Sequence, residues 1–376
     1  MPLNILQIEK ARKDFYAPSF NVVAAGKSLV PDLYLEVSSV EIDNILDAAD
    51  RFSFVIVNAF DVTKREFLKV GSKTLPEFFE FGLPIEISMG YGDRAQLTLM
   101  LSGIVTEIST SFPSSGVPQL TVSGYDHSYC LTKGTKSENW ENKRDSDVVK
   151  QIAQRYGLTP RVEETSVVHP KIEMSQENAA QFIKKLADRN GFEWFVSTKK
   201  ELFFRTPDND ARGAIELAWG RGLVSFSPEI KLSEQVSEVE VHGWNVKTKK
   251  AIVGHARKGD EPGRDTSSAG GKKRASGAEY VQKVCGRDTA TLRVREPVFS
   301  QQEADRRAQA ILARRAEGFV GGRGESIGIP ELKADTNVTL QGLGDFFNTT
   351  FYVNQTTHTV NSSGYRTTFE VKDTTI

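Results

Sequence analysis

The chain has 376 residues, 39% of them hydrophobic and 26% charged, with a formal net charge of -1. This length and composition describe a globular chain of about two or three domains. They exclude a disordered polymer, and they argue against a dedicated nucleic-acid binder, which would show a basic excess or stripe. No apolar run reaches the roughly 18 residues that cross a bilayer, and Met1 to Lys13 carries charges without an apolar core, so neither membrane contact nor a signal peptide is expected. Cys130 and Cys285 lie far apart with no metal-type neighbour, and ordinary buried or half-buried thiols of a reducing compartment are expected.

The first third reads as β. Leu33, Leu35 and Val37 alternate, Phe52 to Val57 is aromatic and β-branched, Ile85 and Ile87 alternate, and Leu97 to Ile108 and Leu120 to Tyr125 are apolar. Gly90-Tyr91-Gly92-Asp93 and Pro113-Ser114-Ser115-Gly116 supply turns, and the pattern predicts a sandwich or barrel. One short helix is expected near Leu75 to Phe81.

The middle changes period. Asp145 or Ser146 can cap a helix with apolar positions Val148, Val149, Ile152, Ala153 and Tyr156, stopped by Gly157. A second helix is expected from near Ser175, with Ala179, Phe182, Ile183, Leu186 and Ala187 on one face and Gly191 beyond its end. Strands Phe192 to Ser197 and Glu201 to Arg205 complete a small α+β module.

The last third returns to strands at Leu223 to Phe226 and Val236 to Trp244. Lys247 to Ala278 is polar and glycine-rich, holds the basic run Lys272-Lys273-Arg274, and reads as a long loop. Ser300-Gln301-Gln302-Glu303 is a capping box for a helix to about Glu317, with Ala304, Ala308, Ile311 and Leu312 inward and Arg306, Arg307, Arg314 and Arg315 outward.

Pro76 to Asp126 and Pro330 to Asp373 resemble each other in order. Each has Pro-Glu, an alternating strand (Ile85 and Ile87, or Val338 and Leu340) and a Gly-X-Gly-Asp turn at Gly90 or Gly342. A longer strand, a Ser-Ser-Gly turn at Ser114 or Ser362, and a strand ending at Asp126 or Asp373 follow in each. This reads as an internal duplication. Two copies of one β domain per chain would let three chains build a ring of six similar domains.

Chemistry-bearing motifs are weak. Gly321-Gly322-Arg323-Gly324 follows a helix, so it is no dinucleotide fingerprint. His127, His169, His242, His255 and His358 are scattered singly and read as structural or solvent-facing; only His242 and His358, both on predicted strands, have a route to proximity. The acid pairs Glu163-Glu164 and Glu138/Glu141 lie in polar stretches and read as solvated rather than catalytic. The helix arginines read as a solvated face or as ion pairs with a neighbouring subunit. No catalytic, cofactor-binding or metal-ligating residue is therefore nominated, no cofactor is expected, and the chain is read as not an enzyme.

Several segments resemble the phage late control protein D family, the hub proteins of contractile tails, with relatives in extracellular injection systems and in the N-terminal half of VgrG spikes. They are Leu120 to Asp126, Asp147 to Leu158, Gln181 to Trp194, Val241-His242-Gly243-Trp244 as the strand opening the second barrel, and Phe351 to Val371 with His358 and Gly364-Tyr365-Arg366-Thr367. The resemblance covers roughly residue 20 to the C-terminus. It implies an α+β, mainly β fold: a barrel-like tube domain at 1–130, a small inserted α+β module at 131–210, and a second barrel-like tube domain at 211–376 carrying the loop 247–278. It also implies a homotrimer with a pseudo-sixfold ring, a baseplate hub that adapts a hexameric inner tube to a trimeric spike. Its implied partners are the inner tube protein, a separate spike polypeptide and wedge or sheath-side proteins, with no membrane and no specific nucleic-acid ligand. The particle would assemble in the bacterial cytoplasm. Asp145 to Leu158 also resembles the first helix of a LysM peptidoglycan-binding module, so a cell-wall-binding or lytic tail-tip protein is the alternative.

Overall fold

A computed structural model describes residues 17–207, 215–245, 249–260, 274–286 and 290–376, together with the backbone of Leu3–Asn4. The N-terminal part forms six main strands: Pro18–Ala24 (β1), Glu36–Ile45 (β2), Arg51–Val57 (β3), Pro84–Tyr91 (β4), Thr98–Ser111 (β5) and Gln119–Asp126 (β6). They pair antiparallel in the order β2–β3–β6–β5–β4–β1. Strict alternation drives this: Phe52, Phe54 and Ile56 are buried on one face of β3 while their neighbours are partly or fully exposed. The short helix is a single turn, Leu75–Phe78, opened by a capping box between Thr74 and Glu77. It buries Leu75, and Phe79 just beyond it lies edge-on to Phe54.

The middle holds Lys136–Arg144 (β7), Asp145–Arg155 (α1), Thr159–Val162 (β8), Val168–Glu177 (β9), Ala179–Asn190 (α2), Glu193–Val196 (β10) and Glu201–Arg205 (β11). The two helices bury the stripes read from the sequence around Trp194, Leu202 and Phe204. Helix α2 starts later than its periodicity suggests. Residues 175–177 belong to β9, which pairs with β7 as far as Lys136↔Glu177, and Asn178 is the cap that accepts from Gln181. Gly191 ends α2 in the left-handed conformation, at φ 69°.

The C-terminal part contains Ile215–Trp219 (β12), Gly222–Ile230 (β13), Glu238–Asn245 (β14), Lys250–Arg257 (β15), Gly277–Cys285 (α3) and Thr291–Arg295 (β16). Gln301–Glu317 (α4), Val320–Ile327 (β17), Thr336–Gln341 (β18), Thr350–Asn361 (β19) and Gly364–Asp373 (β20) complete it. Six of these strands close a ring in the order β12–β13–β17–β20–β19–β18 and back to β12. Phe226, Phe351 and Phe369 stack inside it.

Two expectations are corrected here. Val241 to Trp244 does not open the barrel: it lies in β14, the centre of a separate three-stranded sheet with β15 and β16, covered by α4. The supposed loop 247–278 contains the regular strand β15, whose Ile252 and Ala256 are buried, and the start of α3. Gly254 within β15 is a packing residue: a Cβ there would lie 2.2 Å from the Ala304 backbone carbon of α4. Residues 261–273, including Lys272 and Lys273, lie outside the described residues.

The two β assemblies are joined edge to edge. The second half of β19 pairs antiparallel with β2, from Gln355↔Ile45 to Val360↔Val40, so Val360 and Tyr365 enter the N-terminal core. Replacing Gly254 by Val forces α4 off β15, with an expected loss of about 1–3 kcal/mol, measurable as a lowered midpoint in urea unfolding.

Candidate functional site: seams and exposed edges

The residues singled out in the sequence do not converge on a cleft. His358 and His242 lie in different sheets. His358 is fully buried: its Nε2 donates to the Leu332 carbonyl at 2.9 Å, while its Nδ1, with one lone pair to offer, lies 2.9 Å from the Tyr365 hydroxyl and 3.0 Å from that of Thr367. Burial pushes its pKa down to about 3, which makes it a neutral structural histidine. His127 is within 3.1 Å of the Ser102 hydroxyl. The acid pairs are used locally: Glu163 accepts from Thr206, Glu164 pairs with Arg144, and Glu138 takes a two-pronged contact from Arg155. Glu141 faces Lys171 across the β7–β9 ladder. Helix α1, the LysM-like segment, is buried along Val148, Val149 and Ile152 within its own module.

The arginine face of α4 makes ion pairs within the chain. Arg307 pairs with Glu296 at 2.5 Å and donates to the Asp188 carbonyl at 3.1 Å; Arg314 pairs with Asp188 and Arg315 with Glu234. Arg274, read as part of an exposed basic run, is buried and bonded to Asp373 at 3.0 Å. Cys130 and Cys285 are exposed rather than buried. Glu238, Glu240 and His255 come close enough to share an ion. Their carboxylates already hold Arg257 and Arg293, each at 2.9 Å, and Glu240 also holds His242 at 3.1 Å. That is the pattern of an ion-pair network.

What the fold does concentrate is buried polar chemistry at its seams. Between the middle module and α4, Asp145 at the first turn of α1 accepts from both Arg189 and Asn190, and His169 stands between Asp145 (3.5 Å) and Glu303 (3.1 Å). Burial works against the charged forms. For Asp145 and Glu303 the hydrogen bonds from His169 and the nearby guanidinium of Arg189 outweigh it and hold both below the usual carboxylate range; for His169 the hydrogen bonds to Asp145 and Glu303 outweigh burial and the repulsion of Arg189 and hold it above the usual imidazole value.

Between the middle module and the barrel, the Tyr352 hydroxyl lies within hydrogen-bond reach of Glu193 and, at 2.9 Å, of Asp335. One hydroxyl proton cannot serve two carboxylates, so the pair retains a proton of its own. Burial pushes Glu193 up to about 8 and also raises Asp335. Arg205 pairs with Asp335 at 2.5 Å, Lys372 with Glu317 at 2.7 Å. A third seam joins the two β assemblies, where Asn44 donates to Asp50 (2.7 Å) and accepts from the Ala334 amide (2.8 Å). Burial pushes Asp50 up to about 7. A cleft of about 740 Å³ opens beside this seam, lined by Phe20, Val37, Tyr91, Val360 and Tyr365. Tyr91 closes its floor by donating to the Gly328 carbonyl at 2.9 Å.

A family model described as the Alg8 N-terminal domain matches residues 16–362, most of the chain. The chain belongs to the Alg8 N-terminal domain family. No curated protein matches its sequence. Solved structures match its fold almost end to end. The 43 kDa tail protein of prophage MuSo2 from Shewanella oneidensis aligns with a TM-score of 0.67 at 14% identity, over 94% of this chain and 98% of that one. A tail protein from Neisseria meningitidis MC58 gives 0.67 at 13% identity, over 95% and 97%. The E. coli c3393 protein, described as a component of the type VI secretion system, gives 0.54 at 11% identity, over 94% and 76%. This member of the Alg8 N-terminal domain family therefore shares a fold with these proteins. None of the helices in its described residues is long and apolar enough to cross a membrane.

The seam titrations give two expectations. Glu193 is protonated in the folded chain up to about pH 8 but ionises near its ordinary value once unfolded. The stability it confers is therefore full in acid and falls as pH rises between these values, by up to about 1.4 kcal/mol per unit. Glu193→Gln should remove that slope in pH-resolved urea titrations. Asp145→Asn removes the buried carboxylate shared by half-buried Arg189 and buried His169, leaves His169 with Glu303 alone, and should cost about 3 kcal/mol, read as a lowered Tm.

Proposed function

We propose that this chain is a structural hub of a contractile tail or injection machine of the late control protein D type, acting as a homotrimer that adapts a sixfold tube to a threefold spike. The observation that carries the reading is the strand order. Strands β2–β3–β6–β5–β4–β1 and β13–β17–β20–β19–β18–β12 run in the same sequence of neighbours, each with a glycine turn and a one-turn helix before its longest strand. That supports a duplicated unit, divided as 1–130 and 211–376 around a module at 131–210. The additional sheet β14–β16 with α4 belongs to the second part and braces the module.

Two copies of one unit in each of three chains present six similar faces. A ring of this kind meets a tube protein on one side and a spike on the other, with wedge or sheath-side proteins outside. The full-length fold match to a prophage tail protein and to a second tail protein supports this role, as does the way the acids and arginines singled out are used in structural pairs. Assembly in the bacterial cytoplasm followed by release in a particle fits the same reading.

The test is the native mass of the purified full chain. A species of three times the chain mass is expected at micromolar concentration. A compact monomer that persists at high concentration overturns the hub reading.

A further inference from the structure

Among the strand stretches of the two β assemblies that pair on one side only, two correspond to the strands that the internal ladder joins. In β5, Thr98–Ile104 pairs with β4, Gly103 and Ile104 pair with β6 as well, and Glu107–Ser111 pairs only with β6. In β13, only Gly222 and Leu223 meet β12, so Ser225–Ile230 pairs only with β17. Both stretches are largely exposed, with Phe112 beyond the end of β5 at 57% and Ile230 at 37%.

Irregularities in the ladders place these edges in correspondence with the pair that is joined inside the chain. The β5–β6 ladder shifts register between Val105 and Glu107, and the β19–β20 ladder shifts between Val353 and Gln355. Glu107 thus corresponds to Gln355, and the Ser-Ser-Gly turns at Ser114 and Ser362 give the same offset independently. Likewise the β2–β3 ladder shifts between Val37 and Ser39, and the β13–β17 ladder between Leu223 and Ser225, so Val40 corresponds to Phe226. Inward-facing positions agree: Val40 and Ile42 are buried, and Phe226 and Pro228 are the half-buried members of their stretch.

Transferring the internal register, Gln355↔Ile45 to Val360↔Val40, onto the two open edges gives a definite pairing. We infer that Glu107–Phe112 of one copy pairs antiparallel with Phe226–Lys231 of a second copy of this chain, repeating between subunits the ladder that joins the two β assemblies within one. Glu107 then faces Lys231, Ile108 faces Ile230, Ser109 faces Glu229, and Phe112 faces Phe226. The chemistry fits without being imposed. An acid meets a base, half-buried Ile108 covers exposed Ile230, and Phe112 lands beside Phe226, which packs on Phe351 and Phe369 of the barrel. Pro228 lacks a donor, so it can only accept in this ladder. The contact is heterologous, and head-to-tail repetition either closes a ring or makes a filament. Closure at three copies rests on the hub reading above.

The experiment uses the full chain with Cys130 and Cys285 replaced by Ser and with Ser109→Cys and Glu229→Cys added. Mild oxidation should yield a covalent trimer on a non-reducing gel, and neither single-cysteine variant should crosslink. Separately, Glu107→Lys should raise the protein concentration at which the assembly dissociates by about tenfold or more, and adding Lys231→Glu should restore it. An assembly of trimeric mass that fails to crosslink at 109 and 229, with no rescue by the reversed pair, overturns this pairing and leaves the hub reading standing. A monomeric mass overturns both. A crosslinked ladder extending beyond three copies supports the pairing and overturns trimeric closure.

Discussion

The ladder between Val40–Ile45 and Gln355–Val360 is the constraint on which the rest of the molecule depends. It joins strands more than 300 positions apart and makes the two β assemblies one continuous sheet. Without it, β2 and half of β19 would be bare edges, with backbone donors and acceptors open to other chains. With it, Val360 and Tyr365 fill the N-terminal core, and His358, one turn of the pleat away, fixes Leu332, Tyr365 and Thr367 as a neutral imidazole.

The same joint fixes the middle module. Asp47, in the tight β2–β3 connection beside the ladder, accepts from the Trp194 amide at 3.0 Å and pairs with Lys184 at 3.1 Å. Tyr352, on the part of β19 before the ladder, reaches Glu193 in the strand that holds Trp194. The seams therefore rely on buried polar groups with specific geometry more than on apolar contact. Such groups contribute little net stability when paired but cost several kcal/mol when one partner is lost. They fix the relative placement of the parts.

Bracing by α4 adds to this. Its inner face packs on β14 and β15 through Ala304, Ala308 and Leu312, with Gly254 allowing close approach. Its outer arginines tie Asp188 of the module and Glu296 to the C-terminal part. A helix that looks solvated in one dimension is thus a clamp between two layers.

Alternation and caps were legible in the sequence. The buried faces of β3 and β4, the stripes of α1 and α2, the Ser300 cap of α4 and the glycine turns all follow from local periods of 2 and 3.6 and from backbone conformations that few residues adopt. The order-preserving similarity of the two β segments was visible for the same reason. Tertiary structure alone decided three things. Pairing of Glu177 with Lys136 held three residues in β9 and moved the start of α2, because a ladder partner outweighs local helical period. Lys250–Arg257 is a strand because it pairs along its length with β14, and Gly254 in it lets α4, about fifty positions downstream, lie close against it. The polar seams are equally invisible in one dimension: Glu193, Tyr352 and Asp335 lie on separate elements, and what they do follows only from folding that buries two carboxyl groups against one hydroxyl.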